Sequence, residues 1–439
     1  YNTIGGDRSR GRGPVGEGNL ISGNGGSAIK IDRSNNVVVG NLVGTDLSGA
    51  KALGNNYAGV FITGGANNRI GGADPRDRNI VSGTTGSGIA INNGTGNLVI
   101  GNYVGTDITG TVGLGNSVYG ISMEIGSANN VVQGNLASGN QLAGILIADA
   151  GSSYNAIIGN LIGTDATGAK SIPNGQGVNV GAPFNRIGGM RPEERNLISG
   201  NQGGSFINGF GTLVLGNYFG TDITGRQAIP SRSSIGVGAR IFLAGNLISG
   251  QGFDGVNVTN YTYFGGNLVG IDASGQAAIP NNGFGVRAAG HHNIFQANVI
   301  ANNRGGGISF DPLSFNTIRR DLIYDNAAKG IQCSSGCVGG LAAPVLTAVT
   351  ATAASGTACP ECEVEVFSDA GRQGRIFEGS IRADGSGSFR FEKQSALKGP
   401  NVTATATDRR GNTSEFSTER AVPKPSAATI GPRIGRGSQ

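Results

Sequence analysis

Side chains able to do chemistry are few in this chain, and their spacing limits what they could do. Asp46, Asp107, Asp165, Asp222 and Asp272 recur in one repeated phrase. A row of carboxylates suggests calcium, but calcium takes six or more oxygens, usually from several carboxylates. Each of these Asp stands alone and is followed two residues later by Ser or Thr and then Gly, which fits an Asx turn closing its own loop. Asp46, Asp107, Asp165 and Asp222 are therefore weak metal candidates, and no cofactor is expected.

Acid–base chemistry has equally few options. The two His are His291 and His292, and Asp311, Arg319, Arg320, Asp321 and Asp325 follow soon after. A polysaccharide lyase needs a base for the proton beside a carboxylate and a cation to neutralise the charge that develops. His292, Arg320, Asp321 and Asp325 are the catalytic candidates on that ground. Successive strand residues face opposite ways, so Arg319, Arg320 and Asp321 cannot all face one groove.

The four Cys come as Cys333 with Cys337 and Cys359 with Cys362. Such spacing tolerates zinc, but no third ligand motif supports it. Disulfides of an oxidising, extracellular setting are the expected use. Local pairs 333–337 and 359–362 come first, with cross-pairing as the alternative.

The elements that must position these residues are repeats. Of 439 residues 81 are Gly, against an ordinary usage of ~7%, which excludes a mainly helical chain because Gly costs ~1 kcal/mol inside a helix. Collagen needs Gly at every third position, which is not the pattern here. Gly-Asn-x-apolar-Gly-Thr-Asp occurs at 40–46, 101–107, 159–165 and 216–222, and again at 266–272 with Ile271 for Thr. Asn-x-Ile-Ser-Gly and close variants alternate with it at 19–23, 79–83, 135–139, 196–200 and 246–250. After each comes a short Gly-apolar-x-apolar cluster.

Short alternating runs rich in Val and Ile read as strands, with Gly and Asn supplying positive-φ corners. Units of this size suit coils of a parallel β-solenoid, because one coil cannot bury its inner face alone. About twelve coils fit, making a rod roughly 58 Å long. Asn41, Asn102, Asn160, Asn217 and Asn267 each precede a strand, so they are expected to stack as a hydrogen-bonded ladder.

These phrases resemble the right-handed parallel β-helix repeat proteins, the pectate-lyase-like superfold, of the bacterial secreted or surface type. The resemblance covers residues 1 to about 338. It implies an all-β, right-handed parallel β-helix. It does not fix an activity, since the superfold hosts lyases, hydrolases, epimerases, adhesins and phage spikes. The polygalacturonase-like Asn-Thr-Asp, Asp-Asp and Gly-His-Gly set is absent.

From residue 339 the composition changes, and only Asn401 and Asn412 remain of the Asn. Strands are expected at 362–369, 374–383, 388–393, 401–408 and 413–418, with Val364 and Val366 on one face and Glu363 and Glu365 on a solvated one. The stretch 402–416 resembles a bacterial Ig-like β-sandwich, assigned to 339–422, which would cover the end of the solenoid. Residues 423–439 form a basic Pro/Gly/Ser tail. Ile430, Arg433 and Ile434 echo the first coil around Tyr1, Thr3 and Ile4, so the tail is expected to join subunits by adding strands to a neighbour.

Net charge is +5, spread without the basic stripe and interleaved aromatics of nucleic-acid binding, and no run approaches the ~20 apolar residues of a membrane span. The chain opens inside a repeat, as a mature or trimmed form would. Charged, Arg-bearing loops at 7–18, 74–78 and 191–195 are expected on one face. The leading expectation is an extracellular, non-enzymatic structural solenoid, self-associating head to tail as a surface or filament subunit. A secreted polysaccharide lyase, epimerase or hydrolase and a glycan-binding adhesin are the alternatives.

Overall fold

The computed structural model describes residues 1–11, 15–310, 315–333 and 341–424. Three parallel sheets of 12 strands each make up the first part. The first runs from Thr3–Gly5 to Thr317–Arg319, the second from Leu20–Ile21 to Leu322–Tyr324, and the third from Ile29–Ile31 to Ile331–Cys333. Every coil contributes one strand to each sheet, so every strand pairs with the equivalent strand one coil away. Parallel strands joined through a crossover take the right-handed path, and the chain is a right-handed parallel β-helix.

Strands of two to five residues suffice because each needs only one or two inward side chains. In the first sheet Ile70, Val99 and Val132 stand in register and are wholly buried. Each such side chain contributes about 1.5–3 kcal/mol by leaving water, and like stacks on like along the axis. Gly before the ladder Asn has a packing reason as well. At Gly101, φ +68°, a Cβ would strike the Gly72 carbonyl of the preceding coil.

Corners are held by Asn. Asn160 donates its backbone N–H and its Nδ2 to Asn196 Oδ1 at 2.9 and 3.0 Å, and receives the same pair from Asn135 at 2.9 and 3.1 Å. The Asn of both repeated phrases alternate in this one stack, from Asn19 through Asn41 and Asn102 to Asn217, Asn267 and Asn298. Two further stacks flank it, one through Asn36, Asn68 and Asn97, the other through Asn116, Asn140 and Asn174. In each Asn-to-Asn bond the donor belongs to the earlier coil and the acceptor to the next one, toward the C-terminal end.

Two small antiparallel sheets follow. One holds Val345–Val349, Ala353–Thr357 and Ser388–Glu392; the other holds Ile376–Arg382, Glu363–Asp369, Asn401–Thr407 and Arg420–Ala421. They pack face to face through Leu346, Phe389 and Phe391 against Val364, Val366 and Val402. Residues 413–418, expected as a strand, make only a bridge at Thr413. This stretch is instead spent on the rod: Thr413 hydrogen-bonds Asn316 and Ile318, and Phe416 packs against the solenoid core. Glu365, expected on a solvated face, is buried against the last coil. Alternation within the strand is kept, but the outer face docks.

The docking imitates a further coil. The N–H groups of Phe315, Arg320 and Asn326 should meet the next rung; they meet Asn412 Oδ1, the Glu365 carboxylate and Gln373 Oε1 at 2.8 to 3.3 Å. Gly374 pairs with Ile323 as an antiparallel bridge. These three donors of the last coil are thereby satisfied, as buried N–H groups must be.

Candidate functional site

The carboxylates singled out by sequence are used locally. Asp107 Oδ1 accepts the N–H groups of Thr111 and Val112, both at 3.0 Å, and Oδ2 takes the Thr109 hydroxyl at 2.7 Å. Burial pushes its carboxyl up, but those hydrogen bonds outweigh it and hold it below the ordinary value. Asp46, Asp165, Asp222 and Asp272 close their loops in the same way. The loops stack along the rod, Ile108 N–H on the Gly49 carbonyl and Ala166 N–H on that of Gly110. Among the described residues no group of three or more His, Cys, Asp and Glu could hold a metal ion.

The catalytic candidates do not converge. Asp321 is wholly buried in the middle Asn stack, where it takes the place of an Asn. Arg320 sits at the corner outside it and gives its N–H to Glu365. Asp325 lies one corner further on, paired with Arg375 at 3.2 Å. His292 is on yet another corner, and Asp311 lies outside the described residues.

The charged loops turn their cations onto the rod. Arg76 pairs with Asp74 and Asp7, and Arg78 and Arg195 lie over the rings of Tyr103 and Tyr218 at 3.9 and 4.1 Å. Cys359 and Cys362 form a disulfide. Cys333 is disulfide-bonded as well; Cys337 lies outside the described residues, as do Ile430, Arg433 and Ile434. In the first coil Tyr1 is exposed, Thr3 pairs with Val37, and Ile4 packs against the core.

A different feature stands out at the corner two residues before each first-sheet strand. The backbone there is left-handed in coil after coil. In early coils the residue is Asn35, Asn67, Gly96 or Asn129, with φ of 55–65° covering the group. These types adopt it most readily. From the sixth coil on, Tyr154, Phe184, Arg240, Tyr261, His292 and Phe315 stand there with φ of 56–70°. Left-handed backbone costs roughly 1–2 kcal/mol for such residues, and bulky residues are rarely found in it.

Their side chains form a continuous exposed ladder. Tyr154 stacks on Phe184 at 5.7 Å, and Phe184 meets Phe210 edge-on at 5.2 Å. The Arg240 guanidinium lies between Phe210 and Tyr261 at 5.7 and 5.3 Å. Tyr261 stacks on His292 at 5.0 Å, and His292 on Phe315 at 4.9 Å. At the one Gly rung, Gly211, a Cβ would come within 2.7 Å of the Phe184 ring, so its neighbour Phe210 supplies the rung.

Tyr154 is 62% exposed and Tyr261 47%. Six steps of ~4.8 Å make the ladder about 29 Å long. Beside it runs a groove of about 690 Å³ lined by Phe184, Phe210, Asp149, Asn179 and Asn208. The arrangement offers flat apolar faces in a row with amides and a carboxylate alongside.

Sequence reading missed this site. The signal was present: once the coils are aligned, an aromatic residue immediately precedes the ladder Asn in Tyr154-Asn155, Phe184-Asn185 and Phe315-Asn316.

No protein-family model matches the chain, and no curated relative matches it. Among solved structures, the full-length tailspike protein 2 (TSP2, ORF211) of Escherichia coli O157:H7 bacteriophage CAB120 aligns with 92% of this chain at 10% identity and a TM-score of 0.27. The aligned part spans 65% of that protein.

Proposed function

We propose that the chain works as an extracellular rod that binds an extended glycan along one corner, without turning it over. The aromatic ladder carries this reading. Rings that cost backbone strain where Asn or Gly serves elsewhere are retained for what they touch, and a contiguous exposed apolar patch marks an interaction surface. The C–H-rich face of a pyranose packs on the negative face of an aromatic ring, while its hydroxyls need the amides and carboxylate that Asn179, Asn208 and Asp149 supply. The disulfide Cys359–Cys362 fits an extracellular setting.

A single-stranded nucleic acid also stacks on aromatics, but it needs a positively charged groove tracking its backbone. The ladder has one guanidinium, Arg240, and Asp149 stands near its start. A rod with structurally occupied carboxylates suits binding better than turnover: Asp321 is in the ladder, Asp325 is paired, and the Thr-Asp corners close their own loops.

The test is binding of the purified full chain to linear acidic and neutral polysaccharides, with single-stranded DNA in parallel. Tyr154→Ala and Tyr261→Ala should each weaken glycan binding about five- to tenfold, from ~1 kcal/mol per stacked ring. Unchanged binding in both variants, or preference for DNA, would overturn the reading. Release of unsaturated products from a uronan would turn it into the lyase reading.

A further inference from the structure

The last coil ends on a rung unlike those before it. In the middle stack Asn298 gives its N–H and Nδ2 to Asp321 Oδ1 at 2.8 and 3.1 Å. The rung before it, Asn298, uses its own Nδ2 on the Phe264 carbonyl at 2.8 Å. A carboxylate oxygen cannot donate in this way, and Asp321 Oδ2 is buried with no hydrogen-bond partner. The repeat thus breaks its own rule at the position where the sandwich docks.

Glu365 comes down onto this rung from the middle of a sandwich strand. It is 3% exposed, and both its oxygens accept the Arg320 N–H, at 3.0 and 3.2 Å. The charged groups around the pair are otherwise engaged. Arg319 pairs with Glu363 at 3.3 Å, and the Arg320 guanidinium lies over the Phe377 ring at 5.9 Å. Among the described residues neither Asp321 nor Glu365 forms an ion pair. Two carboxyls in one dry interface cannot both ionise without a large desolvation and repulsion cost. A proton on either carboxyl removes most of that cost.

We propose that Asp321 and Glu365 are a proton-held latch, which keeps the sandwich docked on the last coil while protonated and loosens it when both must ionise. The direction follows from the surroundings. Burial pushes the Glu365 carboxyl from 4.5 up to about 7, and burial likewise drives Asp321 well above its ordinary value. A carboxyl raised in the docked state contributes fully below its undocked value and loses that contribution as pH rises toward the docked one. Docking should therefore weaken about tenfold per pH unit between roughly pH 4.5 and 7, from Glu365 alone about 300-fold in all. Loosening would free the N–H groups of Phe315, Arg320 and Asn326 at the end of the rod.

Hydrogen exchange of the full chain across this pH range, corrected for the intrinsic rate, tests the latch. Amides of Phe315, Arg320 and Asn326 should lose protection as pH rises, while Ala383 and Leu397, bonded to Cys362 and Ala351 inside the sandwich, stay protected. Glu365→Gln should flatten the dependence. Asp321→Asn restores the residue used in the other coils, keeps the fold, and should flatten it as well. Protection that does not change with pH, an unchanged slope in both variants, or parallel loss at Ala383 and Leu397 would overturn the latch.

Discussion

Replacing Asn160 by Ala removes one rung from the middle of the longest Asn stack, and the cost can be worked from its bonds. Asn160 is wholly buried. Its Oδ1 accepts the N–H of Asn135 at 2.9 Å, and its Nδ2 donates to the carbonyls of Val132 and Ile158 at 2.9 and 3.0 Å. Without the side chain, the Asn135 N–H loses its acceptor in a site too tight for easy repair. A buried donor left unpaired costs about 1–3 kcal/mol, and the abandoned carbonyls and the new void raise the total to roughly 3–5 kcal/mol. Coils interact mainly with their neighbours, so the loss should be matched by Asn102→Ala and Asn217→Ala. Urea unfolding followed by far-UV circular dichroism, with Gln141→Ala as the exposed control, measures it. A loss for Asn160→Ala within about 0.5 kcal/mol of the control would refute the claim that the stacks hold the corners.

Three further outcomes follow from the same geometry. Phe184→Asn should raise stability by about 1 kcal/mol, by relieving left-handed strain, and weaken glycan binding; lower stability would make the ring a structural contact instead. Asp107→Ala should cost about 1–2 kcal/mol through loss of its loop bonds. Because the Asp107 carboxyl is held below its ordinary value, that contribution is present above the ordinary value and lost as pH falls through the lowered one, so wild type and variant should converge in strong acid. Excess calcium chloride should leave the thermal midpoint unchanged; a clear rise would show that the Thr-Asp corners bind the ion after all.

Particular residues show how far the sequence could be read. The ladder Asn were visible because Asn41, Asn102 and Asn160 recur in an invariant phrase, and a side chain repeating once per coil can only stack on itself. The alternation of the two phrases gave the coil number, since each coil must close before the next begins. The Asp corners were legible for a local reason: Asx turns are written within five residues, as Asp107 to Val112 shows. Glu365 was misread because alternation reports that its face differs from that of Val364 and says nothing about what covers it.

The aromatic corner was hidden in another way. Tyr154, Phe184, Tyr261 and Phe315 are irregularly spaced in sequence because the loops differ in length, and Arg240 interrupts the aromatic type. Only the fold sets them one coil apart. By itself, the sequence determined the parallel coils, the Asn stacks and the change near residue 339, because these arise from short-range period and from repetition. Tertiary structure alone decided that rings from separate coils form one exposed ladder, and that Glu365 takes the Arg320 N–H beside the buried Asp321 at the end of the rod. Both depend on which residues the winding brings together over distances that local pattern does not record.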